Sequence, residues 1–276
     1  MKVNLHTHST ASDGTMMPKD LVRRLAYEQV DIFALTDHDT LDGIEEAQLE
    51  AKNHNIRLIS GIEISTKISG LNITFLDETK HTLHILALNF DVDKLRWLFQ
   101  QRDKAKEERL HRLVKQLNSE GFNIEVPLPL VKKTQVARKL VEQNYATDIQ
   151  NAFNMIINKH YDRNLDHMTI DDVITMVHLS NGKVIWAHPY EILNYNSKVT
   201  LNEAQIELII AKLKDKNIDG IEAYYEAYSV NQKDILVKMA DKYNLIKSGG
   251  TDFHGKPNRS VPYIDIDENL IKEVLR

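Results

Sequence analysis

Short apolar runs of strand length alternate along the chain with stretches whose apolar positions recur every three to four residues. The first run is Lys2–Leu5, followed by a helix opened by Pro18 and carried by Leu21, Val22, Leu25 and Ala26. Asp31–Thr36 reads as a strand, Ile44–Lys52 as a helix, and Arg57–Ile62 and Thr82–Leu88 as strands. The alternation returns later as helix Ile170–Leu179, strand Lys183–Ala187, helix Glu203–Leu213, strand Ile218–Tyr224, helix Gln232–Tyr243, strand Leu245–Ser248 and a last helix over Glu268–Leu275. Repeated βα units predict a parallel sheet, and this many predict an α/β fold of barrel type. Between about Asp91 and Asp166 the rhythm breaks. Leu110, Leu113, Val114 and Leu117 keep helical spacing, Val126–Leu130 contains two prolines, and Gln135–Gln143 resumes helically. The predicted organisation is a barrel domain over 1–90 and 168–276 with a helical insertion over 91–167.

Composition narrows the chemistry. The 276 residues include no Cys, which removes disulfides, thiolate metal sites and cysteine nucleophiles, so any metal must be held by His and carboxylates. The start MKVNLHTHST lacks an apolar leader, and no stretch approaches the roughly 18 apolar residues of a membrane span. The chain reads as cytoplasmic, without membrane contact, and nothing in it calls for an obligate protein partner. The net charge of −5 hides a segregation, because residues 94–139 carry 12 basic and 5 acidic side chains. That segment is either a solvated helix face or a neighbour for a small anionic substrate.

The candidate chemistry lies in where the histidines and acids fall. His6 and His8 follow the apolar Val3–Leu5 run, and period-two alternation turns both to one side of a strand. Asp13 lies just beyond, His38 follows Ile32–Leu35, and Glu63 stands between Ile62 and Ile64, which must face away from it. His84 is inside TLHILAL, His188 closes VIWAHP, and Asp252 and His254 follow Leu245–Ser248 in KSGGTDFHG. Most of these positions are carboxyl ends of predicted parallel strands, the face on which side chains of a barrel converge. Six imidazoles and three carboxylates without thiolate suit Zn²⁺, Mn²⁺ or Fe²⁺, and nine donors exceed the needs of one ion. Two or three divalent ions are expected. Such a cluster attracts a phosphate dianion, and a hydroxide bridging the metals is the expected nucleophile on phosphorus.

Other residues have weaker readings. His54, His111, His160, His167 and His178 sit among polar neighbours in or beside the helical pattern, and His81 reads as a turn or surface residue. Asp37 and Asp39 flank His38, and either could accept the second N–H of a metal-bound imidazole. Lys256 and Arg259 follow TDFHG and could meet a phosphate oxygen or simply line a polar loop. Tyr224 and Tyr225 end the DGIEAYY strand at the same rim as Glu222, where a ring could stack on a base or pack.

The ordered fragments LHTHSTASDG, TDHDT, GIEIS, LHILAL, AHP, DGIE and GGTDFHG resemble the PHP superfamily, named for polymerase and histidinol phosphatase, and most closely its stand-alone nucleotide phosphoesterases. The resemblance covers 1–90 and 168–262 and implies a distorted (βα)7 TIM-like barrel with a trinuclear site. It implies one ion held by His6, His8, Glu63 and Asp252, a second by Glu63, His84 and His188, and a third by Asp13, His38 and His254. Glu63, His188, Asp252 and His254 would then hold the bridging hydroxide. Asp at position 13 is a mark of the nucleotide-acting members, whose substrates include 3′,5′-nucleoside bisphosphates and the 5′ ends of short RNAs. Two features depart from that group. Its Arg-Pro-His-apolar-Ala-Arg run in the insertion is Lys133–Arg138 here, and a His after the DGIE strand is Tyr228, so Lys133, Arg138, Tyr225 and Tyr228 are candidate substrate contacts. The expected activity is metal-dependent hydrolysis of a small phosphorylated substrate, a nucleotide or short oligonucleotide. The alternatives are a small-metabolite phosphatase acting on a compound such as histidinol phosphate, or a non-catalytic interaction module on the same fold.

Overall fold

Helix boundaries in this chain are written largely by asparagine and by capping side chains. In the computed structural model, which describes residues 1–78, 81–126, 128, 133–161, 168–194, 197–255 and 263–275, the first elements are β1 (Lys2–Thr7), α1 (Pro18–Tyr27), β2 (Ile32–Leu35), α2 (Ile44–His54), β3 (Arg57–Lys67) and β4 (His81–Leu88). Then come α3 (Val92–Ser119), α4 (Lys133–Glu142), and α5 (Ile149–Ala152), which runs through a π-helical turn into α6 (Asn158–His160). The rest is β5 (Met168–Thr169), α7 (Ile170–Leu179), β6 (Lys183–Trp186), β7 (Glu191–Asn194), β8 (Ser197–Thr200), α8 (Glu203–Asp215), β9 (Gly220–Tyr225), α9 (Val230–Lys242), β10 (Ile246–Gly250) and β11 (Ile264–Asp265). Thr169 with Asp172, Asn202 with Gln205, and Ser229 with Gln232 form reciprocal capping boxes that open α7, α8 and α9. Asn55, Asn181, Asn217 and Asn244, just past α2, α7, α8 and α9, adopt the left-handed conformation that stops a helix.

Seven strands form the barrel-like sheet in the order β10, β9, β6, β4, β3, β2, β1, with β11 antiparallel on the start of β1. Farther along β1, His8 N–H donates to Phe253 O at 2.8 Å, and the Asn4 and Thr251 side chains meet at 2.8 Å, so the sheet nearly closes on itself. Inside it, Val3, Leu5, Ile32, Ala34, Ile59, Leu86, Leu88, Ile185 and Ala187 pack with Ile266, Ile271 and Val274 from the chain's end. Leu21, Val22, Leu25 and Ala47 of α1 and α2 cover the other face of β2 at Phe33 and Leu35.

Two expectations are corrected. The sheet is mixed, because β4 runs antiparallel to both β3 and β6. β4 follows β3 along the chain as its antiparallel neighbour, without the helical crossover that a parallel pair needs. The last helix shrinks to one 3-10 turn, Glu268–Leu270, while Ile271 and Val274 are drawn into the barrel interior.

The chain divides into two compact units, Met1–Leu95 with Met168–Arg276, and Arg96–His167. The second has its own core, where Leu110, Leu113 and Leu117 of α3 meet Val136, Ala137 and Leu140 of α4 and Ala152, Ile156 and Ile157. Among the described residues, no helix is long and apolar enough to cross a membrane.

Closure of the sheet leaves no room at Gly250, where a Cβ would stand 2.6 Å from His6 Cβ and 2.8 Å from His6 N. Relief requires moving β1 against β10. Gly250→Ala is therefore expected to cost about 1–3 kcal/mol, read as a melting temperature lowered by about 2–4 °C per kcal/mol. An unchanged melting temperature would show that the two strands are not in the contact described.

Candidate metal centre

A strictly alternating β1 would place His6 and His8 on the face opposite Val3 and Leu5. The β1–β2 register instead slips by one residue between Asn4 and Thr7, where three steps on β1 match two on β2. Val3 and Leu5 thus stay in the core while His6 and His8 also reach the carboxylates of the site. Irregularities of this kind re-aim side chains beside functional sites.

Glu63 is the hub. It is buried in mid-β3 and bridges in parallel to His38, which follows the shorter β2. Its Oε2 lies 3.0 Å from His6 Nε2, 3.1 Å from His8 Nε2 and 3.3 Å from His38 Nδ1. Its Oε1 lies 2.7 Å from His84 Nδ1 and 3.1 Å from His188 Nε2. Asp252 Oδ1 stands 3.1 Å from His8 Nε2 and 3.4 Å from His6 Nε2. Asp13 is within 3.3 Å of His254, 3.6 Å of His8 and 3.8 Å of His38. All nine side chains singled out in the sequence are thereby brought together. His84 arrives by a route the sequence does not reveal: it sits near the amino end of β4, which reaches the rim because that strand is reversed.

Three overlapping groups have donor atoms within 4.8 Å of one another: His6, His8, Glu63 and Asp252; His38, Glu63 and His84; and His8, Asp13, His38 and His254. His188 touches Glu63 but belongs to none of the three, whereas His38 joins two.

The electrostatics favour a cation in this space. Burial opposes ionisation of Glu63, yet the surrounding imidazoles of His6, His84 and His38 hold its carboxyl well below the usual range. Against the same burial, the carboxylates of Asp252 and Glu63 push His8 up to about 9, and Glu63, Glu222 and Asp252 raise His6. His38 goes the other way, lowered by burial with help from His8 and His84. His254 holds Asp13 down to about 2. Neither ring nitrogen of the buried His8 makes a hydrogen bond, although two carboxylate oxygens lie 3.1 Å from Nε2. Nitrogens facing shared carboxylate oxygens at this distance without hydrogen-bond geometry fit a divalent ion held between them.

The remaining candidates are told apart by what they touch. Asp37 accepts from Ser9 N and Ser9 Oγ at 2.7 Å and from Ser12 Oγ at 2.6 Å, so it braces the loop carrying Asp13 rather than an imidazole. Asp39, at φ 53°, accepts from Ser65 N. The tyrosines are not open platforms for a base. Tyr225 and Tyr228 are 2% and 7% exposed, their rings meet edge to face, and their hydroxyls lie against Asp252 Oδ2 and Tyr190 N. Lys133 lies over the Tyr161 ring and Arg138 is exposed, both in the second unit. Lys256 and Arg259 lie outside the described residues. Glu222, which the sequence marks only as an acid ending a strand, contacts His6 Nδ1 at 3.1 Å.

Comparison with known proteins agrees with this geometry. The chain is 31% identical over 267 residues to a 5′-3′ exoribonuclease of Haemophilus influenzae, covering 92% of this chain and 90% of that one. It is 24% identical over 281 residues to a 3′,5′-nucleoside bisphosphate phosphatase of Chromobacterium violaceum, covering 95% and 91%. A solved structure from Bifidobacterium adolescentis, described as a presumed metal-dependent phosphoesterase, superposes with a TM-score of 0.61 at 25% identity over 99% of this chain and 95% of its own. The PHP domain model matches residues 4–274, and with that span and those relatives the chain belongs to the PHP domain family.

Proposed function

We propose that the chain is a metal-dependent phosphoesterase acting on nucleotides, either a 3′,5′-nucleoside bisphosphate or the 5′ end of a short RNA. The observation that carries this reading is the convergence of five imidazoles on the single carboxylate of Glu63. In this reading His6, His8, Glu63 and Asp252 hold one ion, Glu63, His84 and His188 a second, and Asp13, His38 and His254 a third. The all-nitrogen-and-oxygen donor set suits Mn²⁺, Zn²⁺ or Fe²⁺. Bound there, such ions supply a water nucleophile at neutral pH and offset the charge developing on a phosphoryl group. Glu63, His188, Asp252 and His254 are assigned to orienting the attacking water, while Asp37 holds the Asp13 loop in place.

The nucleotide assignment draws on the activities of the Haemophilus and Chromobacterium relatives and on Asp at position 13. Its test is a side-by-side assay, with Mn²⁺, of a nucleoside 3′,5′-bisphosphate, a 5′-phosphorylated short RNA and histidinol phosphate. One of the first two should exceed histidinol phosphate in kcat/KM by at least about tenfold, a transition-state difference of about 1.4 kcal/mol. Preference for histidinol phosphate would move the assignment to a small-metabolite phosphatase. Bound metal without turnover of any phosphoester would make the chain a binding module.

A further inference from the structure

We infer that Glu222 is a positioning residue that sets the tautomer of His6 and the backbone of His188, candidate ligands carried by β1 and the end of β6. The inference rests on the metal-centre reading given above. Glu222 lies on β9, whose register against β10 slips between Ser248 and Gly249, and its side chain is fully buried. Its Oε1 is 3.1 Å from His6 Nδ1, and its Oε2 accepts the His188 N–H at 2.9 Å. No lysine or arginine forms an ion pair with it among the described residues. A buried carboxylate is costly unless its lone pairs are used. Here both hydrogen-bond partners belong to candidate ligands, so its burial serves the site.

The chemistry follows from what a carboxylate can do. A carboxylate oxygen at Nδ1 accepts a hydrogen bond there, so once His6 is down to one proton that proton is drawn to Nδ1 and the lone pair is left on Nε2. That nitrogen is the one 3.0 Å from Glu63 Oε2 and 3.4 Å from Asp252 Oδ1. A second constraint acts on His188, whose φ of 32° lies in the left-handed region that non-glycine residues avoid. A charged acceptor on its N–H holds that backbone, and with it His188 Nε2 at 3.1 Å from Glu63 Oε1. One side chain therefore fixes donors from two strands, and outer carboxylates of this kind commonly contribute about 10–100-fold in metal affinity.

Two measurements test it. Nitrogen-15 NMR of metal-free wild-type protein, taken above the pH at which His6 becomes neutral and with its signals assigned by a His6 substitution, should show the remaining proton on Nδ1. Glu222→Gln should bind its tightest Mn²⁺ about 10–100-fold more weakly than wild type, with Glu222→Asp recovering part of the loss and the exposed Glu226→Gln showing none. Calorimetric Mn²⁺ titration of the metal-free proteins reads this without reference to turnover. A His6 proton on Nε2, or a folded Glu222→Gln that binds Mn²⁺ as tightly as wild type, would overturn the inference. Wild-type protein that bound no Mn²⁺ would sink the metal-centre reading, and the His6 tautomer would then decide the role of Glu222 alone.

Discussion

Glu63→Gln should lower kcat/KM on the preferred phosphoester by at least about 10³, roughly 4 kcal/mol of transition-state stabilisation, the scale on which metal ions assist phosphoryl transfer. The expectation follows from position. Glu63 belongs to two of the three donor groups, and its two oxygens face different imidazoles, His6, His8 and His38 on one side, His84 and His188 on the other. Glutamine keeps the shape of the side chain and removes its charge. It also turns one face from acceptor to donor, presenting an amide to nitrogens that need an anion. A substitution at His84 or at Asp13 reaches fewer neighbours and should cost less. Metal content measured beside activity should fall with it, while far-ultraviolet circular dichroism stays that of a folded protein. A folded Glu63→Gln protein within about tenfold of wild-type kcat/KM would mean that the hub is not needed for chemistry.

How much of this was legible beforehand depends on which physical signal carried it. Helix α7 is written locally, with a capping Thr169 before Ile170 and a left-handed Asn181 after Leu179, so periodicity alone returns both of its ends. The donors were legible because imidazole and carboxylate at the ends of apolar runs are chemically conspicuous. Strand direction was not, since Thr82–Leu88 has the same alternation whichever way it runs, and its reversal depends on pairing with β3 and β6. The slip in β1 is likewise a tertiary event. Local alternation puts Leu5 and His6 on opposite faces, and only the fit against Ala34 and Leu35 turns both inward. The antiparallel pair β7–β8 was not legible either, because each strand is only four residues long and depends on its partner. Glu222 illustrates the remaining gap: its residue type was visible at a strand end, but its reach to His6 and to the His188 N–H exists only once β1, β6 and β9 are neighbours.

Stripped of metal by a chelator, the protein should lose stability as pH rises from about 6.5 to 9, and with saturating Mn²⁺ the trend should weaken or reverse. The sign follows from the histidines. His8 is raised from 6.5 to about 9, with His6 and His188 raised in the same direction, so the folded chain binds their protons more tightly than the unfolded chain does. That stability is complete below pH 6.5 and gone once pH has passed through the folded values. At about 1.4 kcal/mol per tenfold change in proton affinity, His8 alone contributes on the order of 3 kcal/mol. Its partners set the acid limit. Glu63, Asp252 and Asp13 are lowered, so what they contribute is present above their ordinary values of 4.5 and 3.8 and fades as pH falls, through about 2 for Asp13. His38 is lowered and opposes the trend without cancelling three raised neighbours. The metal-free optimum therefore lies between the carboxylate and imidazole ranges, about pH 4.5 to 6.5. A divalent ion works against that slope because it competes for the same nitrogens and binds only when they are deprotonated, so its stabilisation grows with pH. Melting curves at pH 5.5, 7 and 8.5, with chelator and with Mn²⁺, should diverge steadily, and His8→Asn should flatten the chelated series. A metal-free protein equally stable at pH 5.5 and 8.5 would mean that the imidazoles and carboxylates gathered around Glu63 do not share protons in the folded state.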